Sequence, residues 1–399
     1  MKKQRNVLVV LGWYDPRIIE GVGRFAREAG WHLEMRAVIE GALPSQWRGD
    51  GMLVNDTTVP RLERFIQSQI DLQPTVLIGS NHRHSHVSAV HEDNREVGRL
   101  AAVHFLERGH QNFAWLGPAQ GTVELGRRIS FVETLGAAGK PCQILEWRRE
   151  GSARRETWEH RRKWIASQLG KTLKPLALFC LDDLVALDAL EVCLDMGLRV
   201  PEDVALMGVG NMELACECAR IPISSVDENL TEIAYRAAEV LNRLMEGGKG
   251  AAAFEQKENL ERRSLVVPVK GVFMRRSTES LAVTHMGVKK ALLFMGGEYA
   301  RPLGLSDIAR AAGLSARALQ YAFQSELRCS PMDQLLKIRL QHVVHLLVAT
   351  EQKVGTVAEK CGFGTVRHLH RCFVREHACS PQAYRFRAKG TAKADSERL

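Results

Sequence analysis

The sequence has no uninterrupted apolar run near the roughly 18–20 residues needed to cross a bilayer, which excludes a membrane helix. Its basic and then apolar start is similar to an export signal. However, the apolar segment 7–11 is shorter than the roughly 7–15 residues of such signals, and no small-residue cleavage site follows it. We therefore expect a cytoplasmic protein with no membrane partner, whose first buried strand begins at Val7.

Cysteine pairs and metal motifs are also missing. The nine cysteines are scattered without a C-x-x-C pair, and the one close pair, Cys216 and Cys218, is better explained as incidental than as metal-binding. His82, His84 and His86 offer a possible metal site, but no distant Cys or carboxylate accompanies them. We expect reduced thiols, a solvated histidine loop, no metal and no cofactor.

The common catalytic motifs are absent as well. There is no P-loop, no G-x-S-x-G and no H-E-x-x-H. The glycines Gly21 and Gly23 fall inside a helical pattern rather than at the end of a strand, so packing explains them better than dinucleotide binding does. We expect no enzymatic activity, and a turnover assay with pentoses tests the alternative of a sugar-modifying enzyme.

The excess of positive charge is confined to the last part of the chain. Residues 281–399 contain 18 Lys and Arg against 9 Asp and Glu, and the whole chain contains 55 against 46. Both differences are +9, so residues 1–280 carry no net charge. This asymmetry indicates a polyanionic partner, of which nucleic acid is the usual one. A basic tail that merely aids solubility is the weaker alternative, because this segment is patterned.

Short aliphatic runs alternate with helical patterns such as 17–30 and 94–109. The predicted strands are 7–12, 51–55, 75–80, 89–93, 113–118, 176–182 and 204–210. This alternation predicts an α/β domain with parallel, doubly wound sheets. From residue 288 onward only helical patterns remain, which predicts a second, all-α domain.

In such sheets, ligands bind just beyond the carboxyl ends of the strands. The residues at these positions are Trp13, Tyr14, Asp15, Asp93, Asp182, Asp183 and Asn211. Trp13 has an alternative place in the core, and Asp183 has an alternative role as the cap of the next helix.

Two stretches of the basic segment repeat each other. Residues 307–331 and 356–381 share an Ala and a Gly four apart, then a Leu and a Phe four apart, then Ser-Pro. The small Ala lets two helices approach, and the Gly supplies a turn with positive φ. Leu and Phe then bury one face of the second helix. Each copy is predicted to be a helix-turn-helix.

The other face of each second helix carries side chains that can read DNA. These are Arg317, Gln320 and Tyr321 in the first copy and Thr365, Val366, Arg367, His370 and Arg371 in the second. Arg pairs bidentately with guanine and Gln with adenine. As alternatives, Tyr321 and His370 pack internally and Val366 gives only apolar contact. An amphipathic helix over 332–349 is expected to place the two units in successive major grooves, about 34 Å apart.

Residues 288–387 resemble the AraC-type DNA-binding domain, with its paired helix-turn-helix units. The resemblance implies that the positions above are the groove-reading positions. One departure is Arg328, where the family commonly has Gly, which puts the geometry of that turn in question.

Residues 6–275 resemble the lac-repressor-type effector domain, most clearly in segments 89–118, 197–215 and 223–241. The resemblance implies two α/β lobes that close on a small molecule, with Asp and Arg bonded to sugar hydroxyls and an aromatic ring stacked on the sugar. It assigns Arg127 and Asp182 to the pocket. Gly210 stands where the family usually has Asp, so Asn211 is the candidate substitute and the identity of the sugar is open.

The order of the two modules is similar to that of the xylose-operon regulator family. The lac-repressor family has its own helix-turn-helix ahead of the effector domain, whereas here the DNA module follows it. The expected domains are an effector and dimerisation domain (1–275), a linker (276–287), an AraC-type domain (288–390) and a disordered tail (391–399).

The resulting hypothesis is a transcriptional regulator, an activator, that binds double-stranded DNA under the control of a sugar between the lobes. D-xylose is the first candidate for that sugar, and a homodimer and RNA polymerase are the other expected partners. The alternatives are a repressor of another sugar operon, and a sugar-binding or sugar-modifying protein with an accessory DNA module.

Overall fold

A computed structural model describes residues 4–55, 57, 59–79, 86–119, 122–147, 158–246, 264–279, 285–377 and 379–388. The chain forms two compact units, one from 1–93 with 229–269 and the other from 94–228 with 270–399. The predicted tail, 391–399, and residues 280–284 of the predicted linker lie outside the described residues. None of the helices in these ranges is both long and apolar enough to cross a membrane.

The first unit is a parallel sheet of strand order β11-β5-β4-β3-β1-β2. Helices pack on both of its faces. Its elements are β1 (Asn6–Val10), α1 (Pro16–Ala29), β2 (His32–Glu34), α2 (Arg36–Ile39), β3 (Gly51–Asn55), α3 (Pro60–Gln69), β4 (Thr75–Ile78), β5 (Ser88–Glu92), α9 (Leu230–Glu246) and β11 (Ser264–Val267). Successive residues of β1 enter opposite cores: Val7 and Val9 pack in one, Leu8 and Val10 in the other. A strand covered on both faces therefore appears as a continuous apolar run.

The second unit contains a sheet of order β12-β10-β9-β8-β6-β7, parallel except for β12. Its elements are α4 (Asn94–Glu107), β6 (Asn112–Pro118), α5 (Thr122–Ala137), β7 (Cys142–Trp147), α6 (Trp158–Leu169), β8 (Leu176–Cys180), α7 (Asp183–Asp195), β9 (Val204–Val209), α8 (Glu213–Glu217), β10 (Ser224–Asp227) and β12 (Gly271–Phe273). Phe131 lies at the centre of its aromatic core, 4.9 Å from Phe179 and 6.5 Å from Phe105 between ring centroids.

All seven predicted strands are present, with ends that differ by at most two residues, and the doubly wound α/β class is confirmed. The short strand β2 and the strands β7 and β10 were not predicted from the sequence. The reason for β10 is its polar sequence, SSVD: Ser224 and Ser225 are fully buried but hydrogen-bonded, so burial there has no apolar signature.

The remainder of the second unit is helical. Its helices are α10 (Met286–Glu298), α11 (Leu305–Ala312), α12 (Ala316–Leu327), α13 (Pro331–Ala349), α14 (Val354–Lys360), α15 (Val366–His377) and α16 (Pro381–Ala388). They enclose two separate cores, one for each repeated motif. The first half of α13 supplies Leu335 to one core, and its second half supplies Val343 and Leu347 to the other.

Candidate effector site and nucleic-acid interface

Both repeated glycines adopt the left-handed conformation that the sequence predicts, with φ of +68° at Gly313 and +73° at Gly362. Their surroundings differ. A Cβ on Gly362 would lie 2.4 Å from the carbonyl oxygen of Tyr299, whereas a Cβ on Gly313 would meet nothing within 4 Å. Gly362 is therefore required both by its backbone angle and by the close approach of the backbone at Tyr299, just after α10.

The second helix of each motif is anchored by the predicted apolar pair. Leu319 and Phe323 of α12 are fully buried, and Leu369 and Phe373 of α15 are buried in the same way. The hydroxyl of Thr365 accepts a hydrogen bond from the backbone N–H of His368 at 3.1 Å, which caps the start of α15. Because one face of α12 and of α15 is buried, the opposite face of each helix is exposed to solvent.

All of the predicted groove-reading side chains lie on these outward faces. The exposed residues are Arg317, Gln320, Tyr321, Thr365, Val366, Arg367, His370 and Arg371. Tyr321 is 80% exposed, so neither it nor His370 packs in the core. Within the described ranges no ion pair engages Arg317, Arg367 or Arg371, so their charges face solvent. Base contact by any one of them stays a prediction.

The turn after the first recognition helix keeps its shape despite the departure at Arg328. This residue ends α12 in the left-handed conformation, with φ of +56° and ψ of +25°. The structure therefore retains the turn for which the family uses Gly, with a side chain that disfavours it.

Helix α13 joins the two motifs rigidly. It has 19 residues, which at about 1.5 Å per residue corresponds to a rod about 28 Å long. The side chain of Ser330 caps it by accepting from the N–H of Asp333 at 3.1 Å. A continuous helix with both ends in different cores fixes the spacing of the two recognition helices, as two neighbouring major grooves require.

Arg127 is the centre of a buried polar cluster in the sheet part of the second unit. Its guanidinium donates to Oδ1 of Asn94 at 2.7 Å, to the carbonyl oxygen of Leu181 at 2.8 Å and to Oε2 of Glu228 at 3.0 Å. The Arg127 and Glu228 side chains are 6% and 15% exposed. A charged donor held by three elements of the fold has the chemistry to orient the hydroxyls of a small polar ligand.

Glu228 and Asn94 were not predicted from the sequence as members of this site. Glu228 directly follows β10, so the same strand-end rule selects it once β10 is known to be a strand. Asn94 begins α4 immediately after the predicted residue Asp93. Neither residue belongs to a hydrophobic pattern in the sequence. Their common feature is that both accept hydrogen bonds from Arg127 in the folded chain.

Of the two neighbouring aspartates, Asp182 and not Asp183 caps the following helix. Asp182 is the helix cap, because its Oδ1 accepts from the N–H of Val185 at 2.8 Å. Asp183, 2% exposed, instead accepts from Ser225 Oγ at 2.6 Å and from the N–H of Met212 at 2.7 Å. The proposed capping role of Asp183 is therefore wrong, because its carboxylate turns inward towards β9 and β10.

Burial raises the pKa of the Asp182 carboxyl, while the N–H of Val185 and the charge of Arg127 act in the opposite direction. Asp182 is thus close enough to Arg127 to belong to the same cluster. Its role in effector binding stays a prediction.

Asn211 is held firmly by two charged side chains. Its Nδ2 donates to Oδ2 of Asp227 at 3.1 Å, and its Oδ1 accepts from Nη2 of Arg275 at 2.8 Å. The preceding Gly210 has φ of +118°, a conformation that an Asp side chain strongly disfavours. The absence of the usual family Asp therefore fits the local backbone, and the role of Asn211 as its substitute stays a prediction.

The remaining effector candidates lie in the first unit. Trp13 and Tyr14 are 44% and 63% exposed, so Trp13 does not belong to the core. Asp15 caps α1 by accepting from the N–H of Arg17 at 2.9 Å, and it forms an ion pair with the Arg17 side chain. These hydrogen bonds and the positive charge of Arg17 outweigh burial and lower the pKa of Asp15. Asp93 is half-buried.

No group of three His, Cys, Asp or Glu side chains suited to a metal ion occurs in the part of the chain that the structure describes. His82 and His84 lie outside that part, and His86 contacts Oδ1 of Asp71 through Nε2 at 3.0 Å. All nine cysteines are free thiols.

Two family models match this chain. Residues 102–278 match a periplasmic binding protein-like domain, and residues 308–387 match a helix-turn-helix domain. The xylose operon regulatory protein of Escherichia coli (strain K12) is 25% identical over 384 residues, 93% of this chain and 94% of that protein.

Solved structures show the same architecture. The xylose-binding transcription activator XylR covers 96% of this chain and 98% of its own, with a TM-score of 0.56 and 23% identity. A LacI family regulator from Mycobacterium smegmatis covers 69% of this chain with a TM-score of 0.53 and 18% identity. The chain is thus a transcription regulator in which a periplasmic-binding-protein-like domain precedes a helix-turn-helix DNA-binding domain, and it is similar over most of its length to xylose operon regulatory proteins.

Proposed function

We propose that this regulator acts in the cytoplasm as an activator whose binding to double-stranded DNA is controlled by a pentose, with D-xylose as the first candidate. The cluster around Arg127 carries this proposal. It offers a cationic donor, a carboxylate and a carboxamide, which together suit the hydroxyl groups of a monosaccharide. The names of relatives that match the chain over most of its length support D-xylose.

We propose that the second helices of both motifs contact the DNA at the same time. The outward faces of α12 and α15 carry arginines, and α13 holds the two helices at a fixed spacing. We further propose that the chain acts as a homodimer, that it contacts RNA polymerase, and that residues 1–275, 276–287 and 288–390 are its functional segments. Sugar binding then shifts an equilibrium between DNA-binding arrangements, provided that the sugar affinity differs between them.

Thermal unfolding against a panel of monosaccharides tests the effector assignment. A ligand at about 100 times its Kd stabilises the folded protein by roughly 2.7 kcal/mol. We expect D-xylose to raise the melting temperature more than other sugars. If no sugar raises it, the effector assignment fails.

A matched pair of variants tests whether Arg127 is responsible. R127M/E228Q removes both members of the buried ion pair, so no buried charge is left unpaired. R128M/E146Q removes the ion pair next to it in sequence, between Arg128 and Glu146. We expect the sugar-induced shift to disappear in the first double variant and to remain in the second.

A further inference from the structure

Helix α4 begins in the Arg127 cluster. Its first residue, Asn94, accepts the only N–H that the Nε of Arg127 can donate. One turn later, α4 and α5 approach so closely that a Cβ on Gly98 would lie 2.1 Å from the carbonyl oxygen of Arg127. No side chain separates the two backbones at this point. A displacement of the Arg127 backbone therefore displaces α4 as well.

The other end of α4 holds the segment that leads into the helical part. His104 shares a hydrogen bond of 2.9 Å between its Nε2 and Oγ1 of Thr278, and Arg108 donates from Nε to the Thr278 carbonyl oxygen at 2.8 Å. Thr278 is fully buried at the end of a 3-10 turn, Arg276–Thr278. The position of this turn thus depends on the last turn of α4.

The same last turn contacts α13. Gln341 donates from Nε2 to Oε2 of Glu107, and Gln334 donates from Nε2 to the Glu107 carbonyl oxygen at 3.4 Å. Gln334 is 5% exposed, although a glutamine at the surface of a helix is ordinarily solvated. The contact is polar and small, which suits a surface that docks and releases rather than a permanent core.

Further charged side chains lie along the same face of α4. Glu96, Arg99 and Glu107 follow one another at helical spacing on this face. Burial and the charge of Glu96 together raise the pKa of Tyr384 to about 12, while burial and the charge of Arg99 lower the pKa of His377. The charges on this face of α4 therefore act on side chains of α15 and α16.

We propose that α4 transmits effector binding to the DNA-binding helices, and that Glu107 with Gln334 and Gln341 forms the docking surface through which it does so. The proposal rests on the proposed function, since it takes the Arg127 cluster as the effector site. A 14-residue helix spans about 20 Å, so α4 connects that cluster to α13 as one rigid element. The long helix α13 in turn carries both recognition helices.

The test uses the full chain and the variant Q334M/Q341M, which keeps side-chain length and helix propensity but loses both amide donors. The matched control is Q143M, at an exposed position of β7. Two quantities are measured: hydrogen exchange of residues 103–109 and 331–345, and the ratio of operator affinities with and without saturating D-xylose. Coupling between sites is typically about 5–150-fold, so we expect at least a fivefold ratio in the parent protein.

For Q334M/Q341M we expect exchange at least threefold faster in both segments, an affinity ratio below twofold, and a Kd for D-xylose within twofold of the parent. Unchanged hydrogen exchange would contradict the assigned docking surface, regardless of the effect of D-xylose on operator affinity. Faster exchange with an undiminished affinity ratio would overturn transmission through α4. If the parent binds operator but no sugar alters its affinity, the proposed function fails and transmission fails with it, while exchange alone decides whether docking exists.

A second variant guards against simple loss of folding. E107Q keeps an oxygen for Gln341 and removes a half-buried charge, so we expect slower exchange than in the parent at pH 8. Equal or faster exchange in E107Q would contradict the assigned contact.

Discussion

Arg328 shows how a single residue stores strain in this protein. It adopts φ of +56° at the end of α12, where its Cβ is disfavoured by roughly 1–2 kcal/mol. R328G relieves that strain, but glycine loses more backbone entropy on folding than arginine does, which offsets part of the gain. We therefore expect the free energy of unfolding to rise by about 0.5–1 kcal/mol. Chemical denaturation measures this. R328A is the control, because it keeps the Cβ and should give no gain.

The two repeated glycines differ in the cost of a Cβ. G313A introduces only left-handed strain, an expected loss of roughly 1–2 kcal/mol. G362A adds a clash with the Tyr299 carbonyl oxygen, so we expect a loss of about 2–4 kcal/mol. Equal losses in denaturant titrations would contradict the close approach of the Tyr299 carbonyl oxygen to Gly362.

Single residues also mark the limit of what the sequence predicts here. The burial of Leu319 and Phe323 and the angle at Gly313 followed from spacing, because helix periodicity and backbone sterics are local. The roles of Asp182 and Asp183 did not. Two adjacent carboxylates at a strand end are equivalent in sequence, and only the partners on β10 and α8 distinguish them.

At the scale of elements, the recognition helices give a specific prediction. R367A is expected to relax base preference at one operator position, and R317A at another in the adjacent groove, each at a cost of about 1–3 kcal/mol. Selection of DNA from a randomised pool by each variant measures this. Uniform weakening on all sequences would reassign both arginines to phosphate contacts.

Helix α4 illustrates why elements are easier to predict than their contacts. Its bounds follow from the pattern of residues 94–109, but its charged face has the sequence of an ordinary solvated surface. The residues of α13 that contact α4 are more than two hundred positions away in the sequence, as Gln341 is from Glu107. No periodic pattern encodes such a partner.

The docking of α4 on α13 is expected to depend on pH. Burial raises the pKa of Glu107 to about 7, against lowering by the charges of Lys337 and Arg108 and by the hydrogen bond from Gln341, while Glu376 adds to the rise. A raised carboxyl pKa means that the docked form binds the proton more tightly than the undocked form, whose pKa is about 4.3. Docking should therefore weaken as pH rises from about 4.3 to 7.

Hydrogen exchange in α4, corrected for intrinsic rates, measures this dependence between pH 5.5 and 7.5. E107Q removes the titrating group and should abolish the dependence that Glu107 causes. A dependence of equal size in E107Q would assign the effect to another group, such as His377, whose pKa burial lowers.

For the whole molecule, the division of charge corresponds to the division into an α/β part and a helical part. The net charge of +9 resides in residues 281–399, and the helices from α10 onward lie in that segment. The α/β class was predictable because strand and helix patterns alternate many times, and the helix-turn-helix pair because one motif occurs twice. Arrangement of the Arg127 cluster was not, since it joins residues from 94 to 228 that no local pattern connects.

The most direct test of the account is the affinity of the full-length chain for DNA selected from a random pool, measured with and without saturating D-xylose. We predict a change of at least fivefold in the parent protein and in R128M/E146Q, and none in R127M/E228Q. An affinity that stays the same with and without the sugar in the parent, although the sugar binds, would contradict the claim that this cluster controls the DNA-binding helices.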